Sequence, residues 1–183
     1  MDPVTLATLG GIAYANHRIN AAVIKRFTYS RTAVATGTDN TPDTPEDLQR
    51  LLWLASMEPK ILAAVRTVHP GAFTSNVYRS DLLNIVLRQH GYATAKHSRH
   101  LYGLGLDVAW KGISAGPTLD AGLRAVRDAI AGIGAELRDA IAEHDNPHLH
   151  FDFFDPLRLI DKRTRATRWK QKRADKSWHT LNW

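Results

Sequence analysis

Two short stretches hold the side chains best suited to chemistry. One is Ser98-Arg99-His100-Leu101-Tyr102-Gly103-Leu104-Gly105-Leu106-Asp107, and the other, further along, is Pro147-His148-Leu149-His150. Together they offer two imidazoles and a carboxylate as ligands, plus a spare imidazole beside the last of them. A set of that kind makes a zinc site with three protein ligands and one coordination position open to water, as in catalytic rather than structural zinc. The chain has no cysteine, so no thiolate competes for the metal and no disulfide framework exists. The chemistry such a set supports is metal-assisted hydrolysis.

These residues need particular elements beneath them. From His148 to Phe154, Leu149, Phe151 and Phe153 alternate with His148, His150 and Asp152, which predicts a half-buried strand with both histidines on its polar face. Gly103 and Gly105 make a helix between His100 and Asp107 unfavourable. A loop running into a strand over Leu104 to Trp110 brings that His and Asp together instead. Tyr78-Arg79-Ser80, between a predicted strand (Phe73 to Tyr78) and a helix capped by Ser80 or Asp81, offers a guanidinium for bidentate recognition of a carboxylate. A chance pair of histidines is common in a chain with nine, and Arg79 could simply pair with Asp81. The weight lies in the conjunction.

The remaining elements form the scaffold. Thr44 is placed as a helix N-cap, with Pro45 at the first helical position and Asp47 closing a capping box. Leu48, Leu51, Leu52, Leu54 and Ala55 form its apolar stripe. Pro59 is expected to break or kink it before Ile61, Leu62 and Val65. A further amphipathic helix is expected over Thr118 to Ala131, while Glu136 to Glu143 reads as either helix or strand. The fold class is α+β: a small antiparallel sheet with helices packed around it.

With 183 residues, one globular domain is expected. Its predicted divisions are an N-terminal arm (1–26), a central domain (27–156) and a basic, Trp-containing tail (157–183). The net charge is +6, and the excess is concentrated in that tail. Arg158, Lys162, Arg163, Arg165, Arg168, Lys170, Lys172, Arg173 and Lys176 there face only Asp161 and Asp175. Interleaved with Trp169, Trp178 and Trp183, these bases suit a polyanion, either an anionic wall polymer or a lipid surface. No nucleic-acid fold accompanies them, so nucleic acid is not the expected partner. The alternative is a solvated, partly helical tail. Val4 to Ala15 is mildly apolar, but Asp2 replaces a signal's positive start and Gly10 and Gly11 interrupt its core, so a helical arm is expected rather than a cleaved signal.

The span Ser98 to Asp107 resembles the SxHxxGxAxD pattern of the zinc D-Ala-D-Ala carboxypeptidases and related peptidoglycan peptidases, which share a fold with the hedgehog signalling domain. Tyr78-Arg79-Ser80 with Asn84 is similar to that family's YRS…N segment. Thr38-Asp39-Asn40-Thr41-Pro42 resembles the opening of its carboxypeptidase-like branch, and Pro147-His148-Leu149-His150 resembles its closing histidine motif. The likeness covers about Phe27 to Phe154. One position departs: Gly105 stands where alanine is usual, expected to be a mild change.

The resemblance implies one Zn2+ held by His100, Asp107 and His150. Arg79 would grip a substrate carboxylate, and Ser98 would orient the ligand loop or contact substrate. Several relatives carry a general-base carboxylate where this chain has Pro147. His148 is therefore the first candidate for acid/base work, with Glu143 and Asp145 as fallback carboxylates. The implied activity is cleavage of a D-Ala-D-Ala or L-Ala-D-Glu-type bond in bacterial peptidoglycan by a monomeric, phage-lysin-like enzyme. Such an enzyme would be made in the cytoplasm and act on the wall. The alternative is a zinc-containing binding module that keeps the fold without the activity.

Overall fold

The computed structural model describes residues 21–92, 98–129, 137–161, 167–173 and 175–181. The expected arm up to residue 20, the bases Lys162, Arg163 and Arg165, and Trp183 lie outside them.

In chain order the elements are helices α1 (Arg31–Thr36) and α2 (Pro45–Arg66), strand β1 (Phe73–Asn76) and helix α3 (Asp81–Gln89). A 3-10 turn (Arg99–Tyr102), strand β2 (Gly105–Ala109) and helix α4 (Pro117–Asp128) follow. Strands β3 (Leu137–Glu143), β4 (His148–Phe153), β5 (Arg168–Lys172) and β6 (Trp178–Thr180) complete the chain. The class is α+β, with a six-stranded sheet ordered β1-β2-β4-β3-β5-β6. All neighbours are antiparallel except β3 and β5, which run parallel.

The N-cap forms, though not as a full capping box: Thr44 Oγ1 accepts from the Asp47 amide at 3.1 Å and donates to its carboxylate at 2.8 Å, so the carboxylate meets the hydroxyl rather than the Thr44 amide. Of the expected break or kink at Pro59, the break does not occur. The helix runs through it because the residues around it are held in the core, with Met57, Glu58, Ile61 and Leu62 all buried. That burial outweighs the one backbone hydrogen bond a proline removes. Buried Glu58 is paired with Arg26 and Thr74, so its charge carries a counter-ion.

Strand parity sorts the sheet into two faces. Leu149, Phe151 and Phe153 are fully buried and join Leu51, Leu54, Leu119, Leu123 and Val126 from α2 and α4 in one core. Trp53 of α2 meets Phe153 edge-on, ring centroids 5.7 Å apart. The helices therefore pin the apolar side of β4, leaving its histidines on the other.

The C-terminal segment is not a solvated tail in its described part. Arg168–Lys172 lies beside β3, and the sheet continues across the expected boundary at 156 and 157. The register explains the concentration of bases. Asp139 pairs across with Arg168 and Glu143 with Lys172, so the strand's cations meet the carboxylates of β3. Arg168 and Lys170 reach Asp139 at 2.6 and 2.9 Å. On the opposite face, Trp169 packs against the core.

Candidate metal centre

The 3-10 turn carrying His100 is capped by Ser98, whose Oγ accepts from the His100 amide at 3.3 Å. That bond lies within the turn and ties Ser98 to the backbone of His100. Gly103 ends the turn at φ 66°, a left-handed conformation suited to glycine, and the chain enters β2. Gly105 is required by space. A Cβ there would lie 2.8 Å from both the amide nitrogen and Nδ1 of His100. Alanine at this position is thus not the mild exchange expected from the sequence, because the ring of His100 packs directly on the bare Cα.

Register then builds the site. Asp107 of β2 lies directly across from His150 of β4, and His148 lies across from Glu143 of β3. Asp107 Oδ1 is 2.7 Å from His150 Nδ1 and 3.2 Å from His100 Nε2. One ligand atom from each of His100, Asp107 and His150 lies within 4.8 Å of the others.

In all three, the remaining polar atom is already engaged. His100 Nδ1 must carry its proton, since it donates to the Val77 carbonyl. Asp107 Oδ2 accepts from Asn76 Nδ2 at 3.1 Å. His150 Nε2 lies 2.8 Å from Asp152 Oδ1. Carbonyl and carboxylate partners of this kind fix tautomer and ring orientation in metal-binding histidines. The donor set therefore could hold a single cation, with one ligand atom from each residue near those of the other two.

The electrostatics agree. Burial opposes charge on Asp107, yet the imidazoles of His100 and His150 outweigh it and hold the carboxyl well below its ordinary range. Burial likewise opposes a charged His150, but Asp152 and Asp107 on its two nitrogens carry its pKa well above the usual value. Two carboxylates on one imidazole form an anionic nest that favours a cation.

His148 stands at the rim. Its Nδ1 donates to the Asn146 carbonyl at 2.6 Å, which leaves Nε2 as the lone-pair atom, 3.5 Å from Asp107 Oδ1. The two fallback carboxylates separate. Glu143 offers a carboxylate oxygen within 4.8 Å of ring nitrogens of His148 and His150, a second group that could hold a metal ion. Asp145 is instead drawn to Lys172 at 2.7 Å; burial opposes its charge, but that hydrogen bond holds its pKa below the ordinary range. Lys172 also reaches Glu143 at 3.3 Å.

Arg79 is anchored to the ligand turn, its amide donating to the His100 carbonyl at 3.1 Å. Its guanidinium reaches Asn84 Oδ1 at 3.3 Å, and burial lowers its pKa despite the nearby charge of Asp107. The preceding loop fixes this segment. Asn40 accepts from the Ser80 amide at 2.7 Å and donates to the Tyr78 carbonyl at 3.1 Å.

Three participants were missed from the sequence. Asp152 shares strand parity with His150 and was legible in principle. Asn76 and Lys172 arrive from other strands, and nothing local marks them. No family model, curated protein or solved structure matches this chain.

Proposed function

We propose that the chain is a zinc-dependent hydrolase that cleaves peptide bonds of bacterial peptidoglycan, as its resemblance to the zinc D-Ala-D-Ala peptidases implies. The observation that carries this reading is the convergence of His100 Nε2, Asp107 Oδ1 and His150 Nδ1, beside a histidine with a free lone pair. Three protein ligands would leave the fourth position of a zinc open to water, as in catalytic sites, with His148 Nε2, 3.5 Å from Asp107 Oδ1, beside them.

Bound zinc would supply Lewis acidity at the scissile carbonyl and at the attacking water. The remaining work falls to the protein. His148 Nε2 is placed to take a proton from the attacking water and return it to the leaving amine. Glu143, directly across the strands from His148, can share that role. Asp145 is withdrawn by Lys172. Arg79 holds the peptide's carboxylate, which fixes the reacting carbonyl relative to the ligand cluster.

Digestion of purified peptidoglycan followed by mass spectrometry tests the proposal and identifies the bond. New peptide termini that vanish in Asp107→Ala support it. Absence of cleavage, or termini that persist in that variant, overturns it. A second reading, a zinc-containing binding module without activity, is favoured by Pro147 at the position where relatives carry their base. Zinc uptake with no new termini would establish that alternative.

The proposal of a wall-polymer or lipid contact through the C-terminal bases narrows. Arg168, Lys170 and Lys172 face carboxylates of their own chain, so that contact rests on exposed cations such as Arg173 and Lys176. Among the described residues no helix is long and apolar enough to cross a membrane.

A further inference from the structure

A cavity of about 560 Å³ opens beside the ligand cluster, within the size range of small-ligand pockets. Asn76 and Arg79 form its inner end, and both belong to the site already described. Its outer end holds Arg31 and two exposed aromatics, Tyr29 (61%) and Phe73 (49%). Leu83 and Leu87 complete an apolar wall. None of the lining residues is acidic.

Three features of this cleft suit a peptide ligand. Arg79 is largely buried, and among the described residues no carboxylate forms an ion pair with it. The nearby charge of Asp107 offsets only part of the cost of burying this cation, and a carboxylate on a ligand would supply the rest. Arg31, exposed at the mouth, likewise has no ion-pair partner among the described residues. Finally, β1 is an edge strand of the sheet, paired only with β2, and its residues form one side of the cavity. An unpaired edge offers backbone groups to an extended peptide.

We infer that this cleft binds an extended acidic peptide along the free edge of β1, one carboxylate on Arg79 and a second on Arg31, so that Arg31 selects substrates with an acidic side chain near the bond cut. The inference rests on the hydrolase reading for the direction in which the peptide enters, but its binding step needs no metal.

The test is calorimetric titration of the full chain, with and without zinc. The probes are acetyl-Glu-Ala-Ala and acetyl-Ala-Glu-Ala, each against its glutamine counterpart and each with L- and D-residues at the variable position. At least one glutamate peptide should bind about fivefold tighter than its glutamine partner, the effect of one partly exposed ion pair. The gain should disappear in Arg31→Gln, return in part in Arg31→Lys, and shrink with added salt. Equal affinities for every pair, a preference that survives Arg31→Gln, or no binding at millimolar peptide overturns the inference. A chain that takes up zinc but ignores the glutamate loses only this inference. One that prefers the glutamate yet takes up no zinc keeps the cleft and loses the hydrolase.

Discussion

Replacing Asp152 by asparagine should weaken zinc binding without dismantling the site. Asp152 Oδ1 lies 2.8 Å from His150 Nε2, with only 15% and 13% of the two side chains exposed. Burial opposes its charge, but His150 outweighs that and keeps Asp152 below the ordinary carboxylate range. It is therefore an anion at neutral pH, holding the outer nitrogen of a proposed zinc ligand. Asparagine keeps the volume and an acceptor oxygen, so the ring keeps its orientation, but the charge that makes imidazole a stronger donor is gone. Loss of such an outer partner typically weakens metal affinity tenfold to a hundredfold, or about 1.4 to 2.8 kcal/mol. Asp152→Ala should lie at the upper end, since the ring also loses its acceptor. Competition against a chromogenic chelator, with far-ultraviolet circular dichroism to verify folding, measures both. A folded Asp152→Asn protein that binds zinc within twofold of the parent would refute the reasoning.

Other perturbations reach the scaffold. Gly105→Ala places a methyl 2.8 Å from the His100 amide nitrogen; overpacking of this kind costs about 1 to 3 kcal/mol, so a lower melting temperature and weaker zinc binding are expected, and an unchanged protein would show that His100 packs elsewhere. Asp155 accepts from Arg50 at 3.0 Å and from the amides of Leu157, Leu159 and Ile160, wholly buried. Asp155→Ala leaves Arg50 with Asp47 alone, at 2.9 Å, and three amides without their acceptor, and should cost about 3 to 5 kcal/mol in urea unfolding. Burial works against its charge, but Arg50 and the amides hold the Asp155 pKa low. Its contribution is therefore full above the unfolded value of about 3.9 and is lost as pH falls from there through the folded value. Stability curves of parent and Asp155→Ala should converge in that acid window, and a constant gap would contradict the assignment. Truncation after Pro156 removes β5 and β6 and leaves Asp139, 2% exposed, without Arg168 and Lys170. No cooperative thermal transition is expected, whereas a truncated chain that melts like the parent would show the hairpin to be dispensable.

The site was more legible than the sheet that carries it. The alternation from His148 to Phe153 is a local signal that tertiary structure obeys, since one face must be dry and the other is not. The Thr44 cap and the Ser80 cap were equally local. Pro59 misled because local propensity cannot register how much apolar surface the surrounding turns bury. β5 and β6 were invisible for a related reason. Arg168, Lys170 and Lys172 read as a solvated charge run until their partners, Asp139, Glu143 and Asp145, are brought alongside by a parallel pairing between segments distant in sequence. Gly105 carried a signal whose meaning lay in a contact with His100, and no sequence pattern measures contacts.

The central claim is that His100, Asp107 and His150 form one zinc site. Elemental analysis of the purified chain, in parallel with His100→Ala, Asp107→Ala and His150→Ala, tests it most directly. About one zinc per chain is expected in the parent, with a loss in each variant that remains folded. A parent that takes up no zinc, or an Asp107→Ala variant that keeps it, would contradict it.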